Sequence, residues 1–219
     1  MVKTKVVIAK TGVKYVHAAA HDHFDIGIYF EANGHGTVLF GPKFYQYMAQ
    51  AESYFLHNNT KITSENVARA KVAWRRLRVL PALINQAVGD ALSDMLLVDA
   101  ILVLMGGWTC STWNALYTDL PSKQCKVRVK DRSMIITNDN ETKTLQPLTL
   151  QPALDESISS MSSSSRAFVR PSGTENVVRI YAEASTPKEA NTLATLAALH
   201  VHRFCHGVGP PPTTISSNL

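Results

Sequence analysis

The chain has 219 residues, of which 45% are hydrophobic and 18% are charged, enough apolar material for one large domain or two small ones. Lysine and arginine (22) exceed aspartate and glutamate (17), a net charge of +5. The basic residues are scattered and are not interleaved with aromatic ones, so no nucleic-acid partner is predicted. Three widely spaced cysteines fit neither a disulfide framework nor a zinc site and predict a reduced, cytoplasmic protein. The longest apolar stretch, Met95 to Met105, contains Asp99 and is too short to span a bilayer, so no membrane partner is predicted.

The first elements in chain order are strands. β-Branched residues predict a short buried strand over Lys5–Ala9, which Thr11-Gly12 ends. A second strand is predicted from Phe24 to Ala32 and a third from Thr37 to Phe40. Between these two, Asn33-Gly34-His35-Gly36 is a turn signal. The pattern therefore predicts a hairpin with a glycine-rich tip.

A mainly helical region follows, opened by Pro42. Ser64 is the predicted cap of a helix that runs to about Arg78, with three residues on one face: Val67, Ala70 and Trp74. A further helix is predicted from about Asp90 to Met105, ending at Gly106-Gly107. Thr109 is expected to cap one more short helix through Tyr117.

The composition changes at Asp119-Leu120-Pro121, where we place a domain boundary. Beyond it, four strands are predicted: Cys125–Val129, Met134–Thr137, Ala167–Arg170 and Val177–Ala184. A helix is expected from about Gln151, and the serine run Ser162–Ser165 is predicted to be a loop.

Thr186-Pro187-Lys188-Glu189 is a capping box that predicts the last helix, ending at Gly207. This helix is expected to bury one face: Ala190, Leu193, Ala194, Ala197, Val201 and Phe204. The tail rich in proline and serine, residues 208–219, is predicted to be disordered. Residues 119–207 therefore predict an α+β domain with an antiparallel sheet and two helices on one of its faces.

The first candidate site is the loop from Arg170 to Asn176 with the nearby Arg179. Ser172, Gly173 and Thr174 are small enough for backbone N–H groups to surround an anion, and the two hydroxyls add donors. Each arginine can offer a planar fork to phosphate oxygens. The alternative is an ordinary turn with two surface arginines.

The second candidate site is the hairpin tip, Glu31 to Gly36. Glu31 and Asn33 offer the acceptors and donors that vicinal sugar hydroxyls require, and Gly34 and Gly36 permit close approach of a ligand. The alternative is a plain hairpin turn with a glutamate at the end of its strand.

Upstream, Lys10 to His17 places two lysines and a histidine beside a glycine turn. Four histidines in this region suggest a metal site: His17, His21, His23 and His35. Because no carboxylate or cysteine lies among them in a known metal-ligand spacing, we predict that the chain binds no metal.

Taken together, these segments resemble the phosphohexomutase superfamily, and within it the phosphoacetylglucosamine mutases. The resemblance extends from Lys10 to about Gly207, and its specific stretches are Lys10–His17, Phe24–Gly36, Ala91–Leu102, Trp113–Pro121 and Arg166–Ala184. The discriminating stretch is Phe30 to Gly36, because relatives that act on other hexose phosphates usually carry serine at the position of Asn33.

The resemblance implies four domains around one cleft, which supply in turn a phosphoserine, a magnesium loop, a sugar-binding loop and a phosphate-binding loop. It implies an incomplete α/β third domain over residues 1–118, followed by the α+β phosphate-binding domain. The substrate-binding residues that it implies are Lys14, Glu31, Asn33, Gly34, His35, Arg170, Ser172, Gly173, Thr174 and Arg179. His17 is a further neighbour of the ligand.

Several features depart from the family pattern. No Ser-His dipeptide of the phosphoserine motif and no Asp-x-Asp pair of the magnesium loop occurs, and Asn176 stands where the family often has aspartate. We therefore expect a C-terminal fragment with no catalytic residues and no magnesium of its own, although the complete enzyme would use magnesium.

The family interconverts N-acetylglucosamine 6-phosphate and 1-phosphate on the route to UDP-N-acetylglucosamine. The expected partner is thus an N-acetylglucosamine phosphate. Two alternatives stay open: a non-catalytic sugar-phosphate-binding fragment or truncated isoform, and a phosphohexomutase of neighbouring specificity.

Overall fold

The structure, a computed structural model, describes residues 4–31, 33–57, 64–87 and 89–213. The chain divides into an N-terminal unit, Met1–Leu116, and a C-terminal unit, Tyr117–Leu219. All three tryptophans belong to the N-terminal unit: Trp74, Trp108 and Trp113.

The N-terminal unit combines a hairpin with helices. Its elements are α1 (Val13–His23), β1 (Ile26–Phe30), β2 (Gly36–Phe40), α2 (Pro42–His57), α3 (Glu65–Leu77), α4 (Leu80–Leu83), α5 (Ala91–Leu104) and α6 (Cys110–Asn114). The predicted hairpin is confirmed, with Ile26 opposite Phe40 and Phe30 opposite Gly36 in antiparallel register. The helix predicted from about Asp90 and the predicted cap Thr109 are also confirmed, since the side chains of Asp90 and Thr109 each accept backbone N–H groups of the helix that follows.

Helix α1 packs closely against β1. A Cβ atom on Gly27 would lie only 2.5 Å from the carbonyl oxygen of Ala20, so this crossing needs a residue without a side chain. Nearby, Nδ1 of His17 and the hydroxyl of Tyr29 are 3.0 Å apart. Together these contacts fix the helix on the strand that leads to the hairpin tip.

The other end of the hairpin belongs to an aromatic core. Phe40, Phe44 and Ile84 are buried together, and five partly buried side chains pack against them: Val38, Met48, Leu77, Leu80 and Leu97. Thr37 on β2 is fully buried and donates its hydroxyl to the carbonyl oxygen of Asn85 at 2.7 Å. The segment after α4 therefore holds β2 in place.

Three predictions in this unit are wrong, and one helix was not predicted. Residues 5–9 form no strand, since they pair with neither edge of the two-stranded β1–β2 sheet. Helix α1 was not predicted, because Gly12 and the basic residues after it suggested a turn. Ser64 precedes α3 but makes no capping bond with its side chain, and Ala70 is exposed. Ala32, the predicted end of the first hairpin strand, lies outside the described residues.

The C-terminal unit is built around a three-stranded sheet. Its elements are β3 (Ser122–Arg128), a 3-10 turn (Arg132–Met134), β4 (Ile136–Thr137), β5 (Thr144–Gln146), α7 (Leu150–Ser159), β6 (Arg166–Pro171), β7 (Val177–Glu183) and α8 (Pro187–Phe204). The sheet order is β3-β7-β6, and both neighbouring pairs are antiparallel.

One face of this sheet packs against α7 and α8. The core is fully apolar at its centre, where the buried members include Val169, Val178, Ile180, Leu150, Leu154, Ala197 and Val201. Helix α8 begins as predicted, since the Thr186 hydroxyl accepts the N–H of Glu189 at 3.2 Å. The predicted α+β arrangement is therefore confirmed.

The remaining differences in this unit are local. The predicted strand Met134–Thr137 is shortened to two residues, because the 3-10 turn occupies its start. Phe204 is only partly buried, since it lies in the last turn of α8 at the edge of the core. Of the predicted disordered tail, residues 214–219 lie outside the described residues. Residues 208–213 belong to no helix or strand, but the N–H of Val208 donates to the carbonyl oxygen of Arg128 at 2.9 Å, so the tail is fixed at its start.

The most apolar helix of the chain is α5, which has 14 residues and a length of roughly 21 Å. Across the described ranges, no helix combines the length and the apolar character that crossing a bilayer requires.

Candidate functional site

The hairpin tip is closed by three short hydrogen bonds. The N–H of Glu31 donates to the carbonyl oxygen of His35 at 2.8 Å, and the N–H of Gly34 donates to the carbonyl oxygen of Glu31 at 3.0 Å. The side chain of Asn33 accepts the N–H of His35 through Oδ1 at 2.9 Å. Asn33 therefore shapes the turn through its own backbone neighbours, as asparagine commonly does.

The tip presents its polar groups to solvent. Asn33, Gly34 and His35 are exposed, while Glu31 is half-buried at the end of β1. Gly34 has a φ of 86°, a conformation that favours glycine. A Cβ on Gly36 would lie 2.2 Å from the carbonyl oxygen of Tyr29. Both glycines are thus required by the hairpin itself, which leaves the side chains of Glu31, Asn33 and His35 as the groups available to a ligand.

Lys14 is exposed in the first turn of α1. Its ammonium group lies 4.9 Å from the ring centroid of Tyr15, and that of Lys10 lies 5.4 Å from the same ring. Two cations therefore share one aromatic ring at the start of this helix. His17, one turn further on, is half-buried against Tyr29, so its first role is to join α1 to β1.

Beneath the hairpin lies a buried carboxylate that sequence reasoning missed. Asp94 on α5 is 8% exposed, and within the described residues neither of its carboxylate oxygens has a hydrogen-bond partner. Burial, followed by the charge of Asp90, raises the pKa of Asp94. Burial, followed by the charge of Asp94, also raises the pKa of Tyr29. Both shifts favour the neutral forms of these groups.

The loop of the first candidate site, residues 172–176, connects β6 to β7. Arg170 and Arg179 occupy directly opposite positions in this antiparallel pair. Side chains of opposite residues lie on the same face, with Cβ atoms about 5 Å apart. The strands therefore bring the two predicted phosphate-binding arginines together beside the loop.

Ser172 organises the loop from beneath. It is 4% exposed, its N–H donates to the carbonyl oxygen of Val177 at 2.9 Å, and its hydroxyl oxygen lies 3.5 and 3.4 Å from the N atoms of Thr174 and Glu175. Contacts of that length are weak, so an anion would give the same N–H groups stronger bonds.

Arg132 supports the loop and was also missed. Its guanidinium donates to the carbonyl oxygen of Ser172. Because Arg132 lies in the 3-10 turn, far from the loop in sequence, no local pattern could have indicated this contact.

Gly173 and Thr174 form the open side of the loop. Both are exposed, and a Cβ built on Gly173 would meet no atom within 4 Å. The φ of Gly173 lies outside the range that favours glycine. The chain itself gives no reason for glycine here, in contrast to Gly34 and Gly36.

The outer face of the sheet carries further charge. Lys126 on β3 lies directly opposite Arg179, on the side away from Arg170. At the other end of the same face, Arg166 and Glu183 form a two-pronged ion pair with N–O distances of 2.6 and 3.1 Å. Sequence reasoning missed Lys126. Its position opposite Arg179 depends on how β3 pairs with β7, and the sequence of neither strand predicts that register.

The predicted substrate-binding residues fall into two groups. The N-terminal unit holds Lys14, Glu31, Asn33, Gly34 and His35, and the C-terminal unit holds Arg170, Ser172, Gly173, Thr174 and Arg179. Over the ranges that the structure covers, no three side chains of His, Cys, Asp or Glu converge in a way that could hold a metal ion. These residues therefore do not fit a magnesium site.

Two family models match the chain. Residues 1–108 match "Phosphoacetylglucosamine mutase AMG1, domain III", and residues 126–199 match "Phosphoglucomutase/phosphomannomutase, C-terminal domain".

Among curated proteins, the chain is 48% identical over 199 residues to the phosphoacetylglucosamine mutase of Arabidopsis thaliana and 51% identical over 200 residues to that of Oryza sativa. Each alignment covers 91% of this chain and 34% of the relative.

Among solved structures, the chain resembles the N-acetylphosphoglucosamine mutase of Aspergillus fumigatus in complex with GlcNAc-6P and magnesium. The TM-score is 0.78 and the identity 44%, over 90% of this chain and 34% of that one. The chain spans about a third of the length of the relatives it matches. The two matched models follow one another in the order third domain, then C-terminal domain, and the chain is therefore similar to the C-terminal third of the phosphoacetylglucosamine mutases.

Proposed function

We propose that this chain provides the substrate-positioning loops of a phosphoacetylglucosamine mutase, the enzyme that interconverts N-acetylglucosamine 6-phosphate and 1-phosphate for UDP-N-acetylglucosamine synthesis. In this proposal the N-terminal unit is the sugar-binding domain and the C-terminal unit, up to residue 207, is the phosphate-binding domain. In the same proposal, the protein acts in the cytoplasm.

The arginine pair on the β6–β7 strands is the observation that carries the proposal. Like charges placed directly opposite each other in a sheet cost stability. Within the described residues, neither Arg170 nor Arg179 forms an ion pair with a carboxylate. A bound phosphate removes this repulsion, and the amides of Thr174 and Glu175 gain a charged acceptor in place of Ser172.

The hairpin tip supports the sugar half of the proposal. Glu31 can only accept hydrogen bonds, which suits sugar hydroxyls, whereas Asn33 can also donate through its amide. The Nδ2 group of Asn33 suits the carbonyl oxygen of an acetamido group, since Oδ1 already accepts the N–H of His35. Lys14 adds a cation to the same unit. This supports acetylated amino sugars over the hexose phosphates of neighbouring specificity.

Phosphoryl transfer itself needs a donor and a metal ion. In the complete enzyme, magnesium would stabilise the transferring charge. Because the described residues do not fit a magnesium site, the part that we assign to this chain is to position the sugar and the phosphate that does not react. The same observation favours a second candidate function, a non-catalytic module that binds sugar phosphates.

Titration calorimetry of the full chain with N-acetylglucosamine 6-phosphate tests the proposal. We expect binding that Arg170→Ala weakens about tenfold, because a charge-assisted hydrogen bond contributes about 1.5–3 kcal/mol. Lys188→Ala, at the exposed start of α8, removes the same charge elsewhere and should leave the affinity unchanged. Equal affinity of wild type and Arg170→Ala would refute the phosphate assignment.

A mutase assay with added magnesium and a hexose bisphosphate then separates the two candidate functions. Turnover above the buffer blank that Arg170→Ala abolishes would identify the chain as an active mutase. Binding without turnover would identify the non-catalytic module.

A further inference from the structure

The C-terminal sheet carries a row of three cations that continues the arginine pair. Arg179 on the central strand lies opposite Arg170 on one side and opposite Lys126 on the other. Their neighbours Val127, Val169 and Ile180 are 6%, 1% and 2% exposed on the helix-covered face. Since side chains alternate along a strand, the three cations share the outer face.

The charge of this row is not compensated inside the unit. Within the described residues, none of the three cations forms an ion pair, whereas Arg166 on the same face is neutralised by Glu183 directly opposite. Arg128 continues the basic surface, and Glu175 is the acidic residue that lines the same shallow groove with Lys126, Arg128 and Asn176. At the Arg166 end of the face, positive and negative charges therefore cancel. The end beside the loop of residues 172–176 keeps an excess of positive charge.

We infer that Lys126 is a third cation of the phosphate site and that the row selects a doubly charged phosphoryl group over a singly charged one. This inference rests on the proposed function and adds to it a binding residue that the loop sequence does not contain. A phosphate monoester carries about −1.5 to −2 charges at neutral pH. Three aligned cations suit a dianion, because each additional negative charge on the ligand gains from every cation in the row.

The ligand pair that tests this is N-acetylglucosamine 6-phosphate and N-acetylglucosamine 6-sulfate, which share the sugar and the tetrahedral group but differ in charge. Calorimetric titrations of the full chain at low ionic strength give both dissociation constants. For Lys126→Met we expect about fivefold weaker binding of the phosphate, which corresponds to about 1 kcal/mol for an exposed charge contact. Binding of the sulfate should weaken only about twofold, since its single charge gains about half as much from Lys126, so the preference for phosphate falls.

Two variants serve as controls. Lys126→Arg keeps the charge and should keep the preference, whereas Lys188→Met removes a charge outside the row and should change neither constant. Lys126→Thr, which favours a strand, repeats the test with a second side chain in case the methionine variant folds poorly.

The outcomes distinguish the role of Lys126 from the proposed phosphate binding on which it rests. If Lys126→Met and Lys126→Thr weaken both ligands equally or weaken neither, while Arg170→Ala still weakens phosphate binding about tenfold, Lys126 is not part of the site and the assignment of the phosphate site stands. If the wild-type chain binds neither ligand, both the site and the inference are overturned.

Discussion

Arg170 and Arg179 lie directly opposite each other across the β6–β7 pair, so the predicted phosphate site is also a place of electrostatic repulsion. Arg179→Gln should therefore have effects of opposite sign on stability and binding. Without ligand, the free energy of unfolding should rise by roughly 0.3 kcal/mol. Binding of N-acetylglucosamine 6-phosphate should weaken about tenfold. Urea titration and calorimetry measure the two quantities.

A loss of both stability and binding in Arg179→Gln would mean that the arginine supports the fold and does not oppose it. Lys188→Gln, which removes a charge at the start of α8, is the matched control and should change neither quantity.

The second prediction concerns pH and the contact between α7 and α8. Oγ of Ser157 and Nε2 of His200 are 2.9 Å apart. Burial lowers the pKa of His200; the charge of Glu156 partly opposes this, and the charge of Arg203 adds a smaller lowering. The unfolded chain then binds the proton more readily, so stability is present above about pH 6.5 and is lost as the pH falls below it.

Urea unfolding followed by far-UV circular dichroism from pH 5 to pH 8 checks this. We expect His200→Gln to flatten the rise of the unfolding free energy over this range. An unchanged slope in the variant would assign the pH dependence to other groups.

The third prediction tests the packing of α1 on β1. Gly27→Ala places a methyl group 2.5 Å from the carbonyl oxygen of Ala20, which forces helix and strand apart. We expect a loss of about 1–3 kcal/mol in the N-terminal unit. Tryptophan emission during urea titration reports this unit alone, because it holds all three tryptophans. A variant as stable as the wild type would show that the contact relaxes without cost.

The fourth prediction concerns Gly173, where neither the backbone conformation nor the packing requires glycine. Gly173→Ala adds a methyl group in open space at a residue whose φ any side chain tolerates, so the unfolding free energy should stay within about 0.5 kcal/mol. Binding of N-acetylglucosamine 6-phosphate should weaken severalfold, because the methyl group occupies the approach of the anion. Calorimetry decides the matter, and unchanged affinity would mean that the ligand does not approach Gly173.

The last prediction concerns specificity at the hairpin tip. Asn33→Ser keeps a turn-forming side chain but removes the amide donor, so it should change the affinity ratio between N-acetylglucosamine, glucosamine and glucose 6-phosphates. Glu31→Ala should weaken all three by similar factors, since it contacts hydroxyls that they share. If Asn33→Ser also scales all three equally, the tip holds the sugar without selecting it.

The sequence predicted secondary structure well where a motif of a few consecutive residues determines it. The capping box at Thr186 located α8, and the glycine-rich turn at Asn33 located the hairpin. The strand predicted over Lys5–Ala9 failed because apolar content alone provides no edge to pair with. Helix α1 was missed although Val13, Val16 and Ala20 already have helical spacing.

The same limit applies to the site. The residues within each loop are adjacent in the sequence, so the sequence alone could suggest both loops as sites. The side chains that surround the phosphate loop come from distant segments of the chain. Lys126 reaches Arg179 through strand register, and Arg132 reaches Ser172 from the 3-10 turn. Neither relationship has a counterpart in the local sequence.

The position of β7 at the centre of the C-terminal sheet has a consequence for how the chain is made. Strands β3 and β6 both pair with β7, which is the last of the three to be synthesised. Strand β3 cannot enter the sheet until the ribosome has passed β7, whereas the β1–β2 and β6–β7 hairpins can close as soon as their own residues emerge. Pairing over such long sequence separations is slow. Newly made β3 therefore remains without its partner strand through most of the synthesis of this unit, which is the interval in which a chaperone would act.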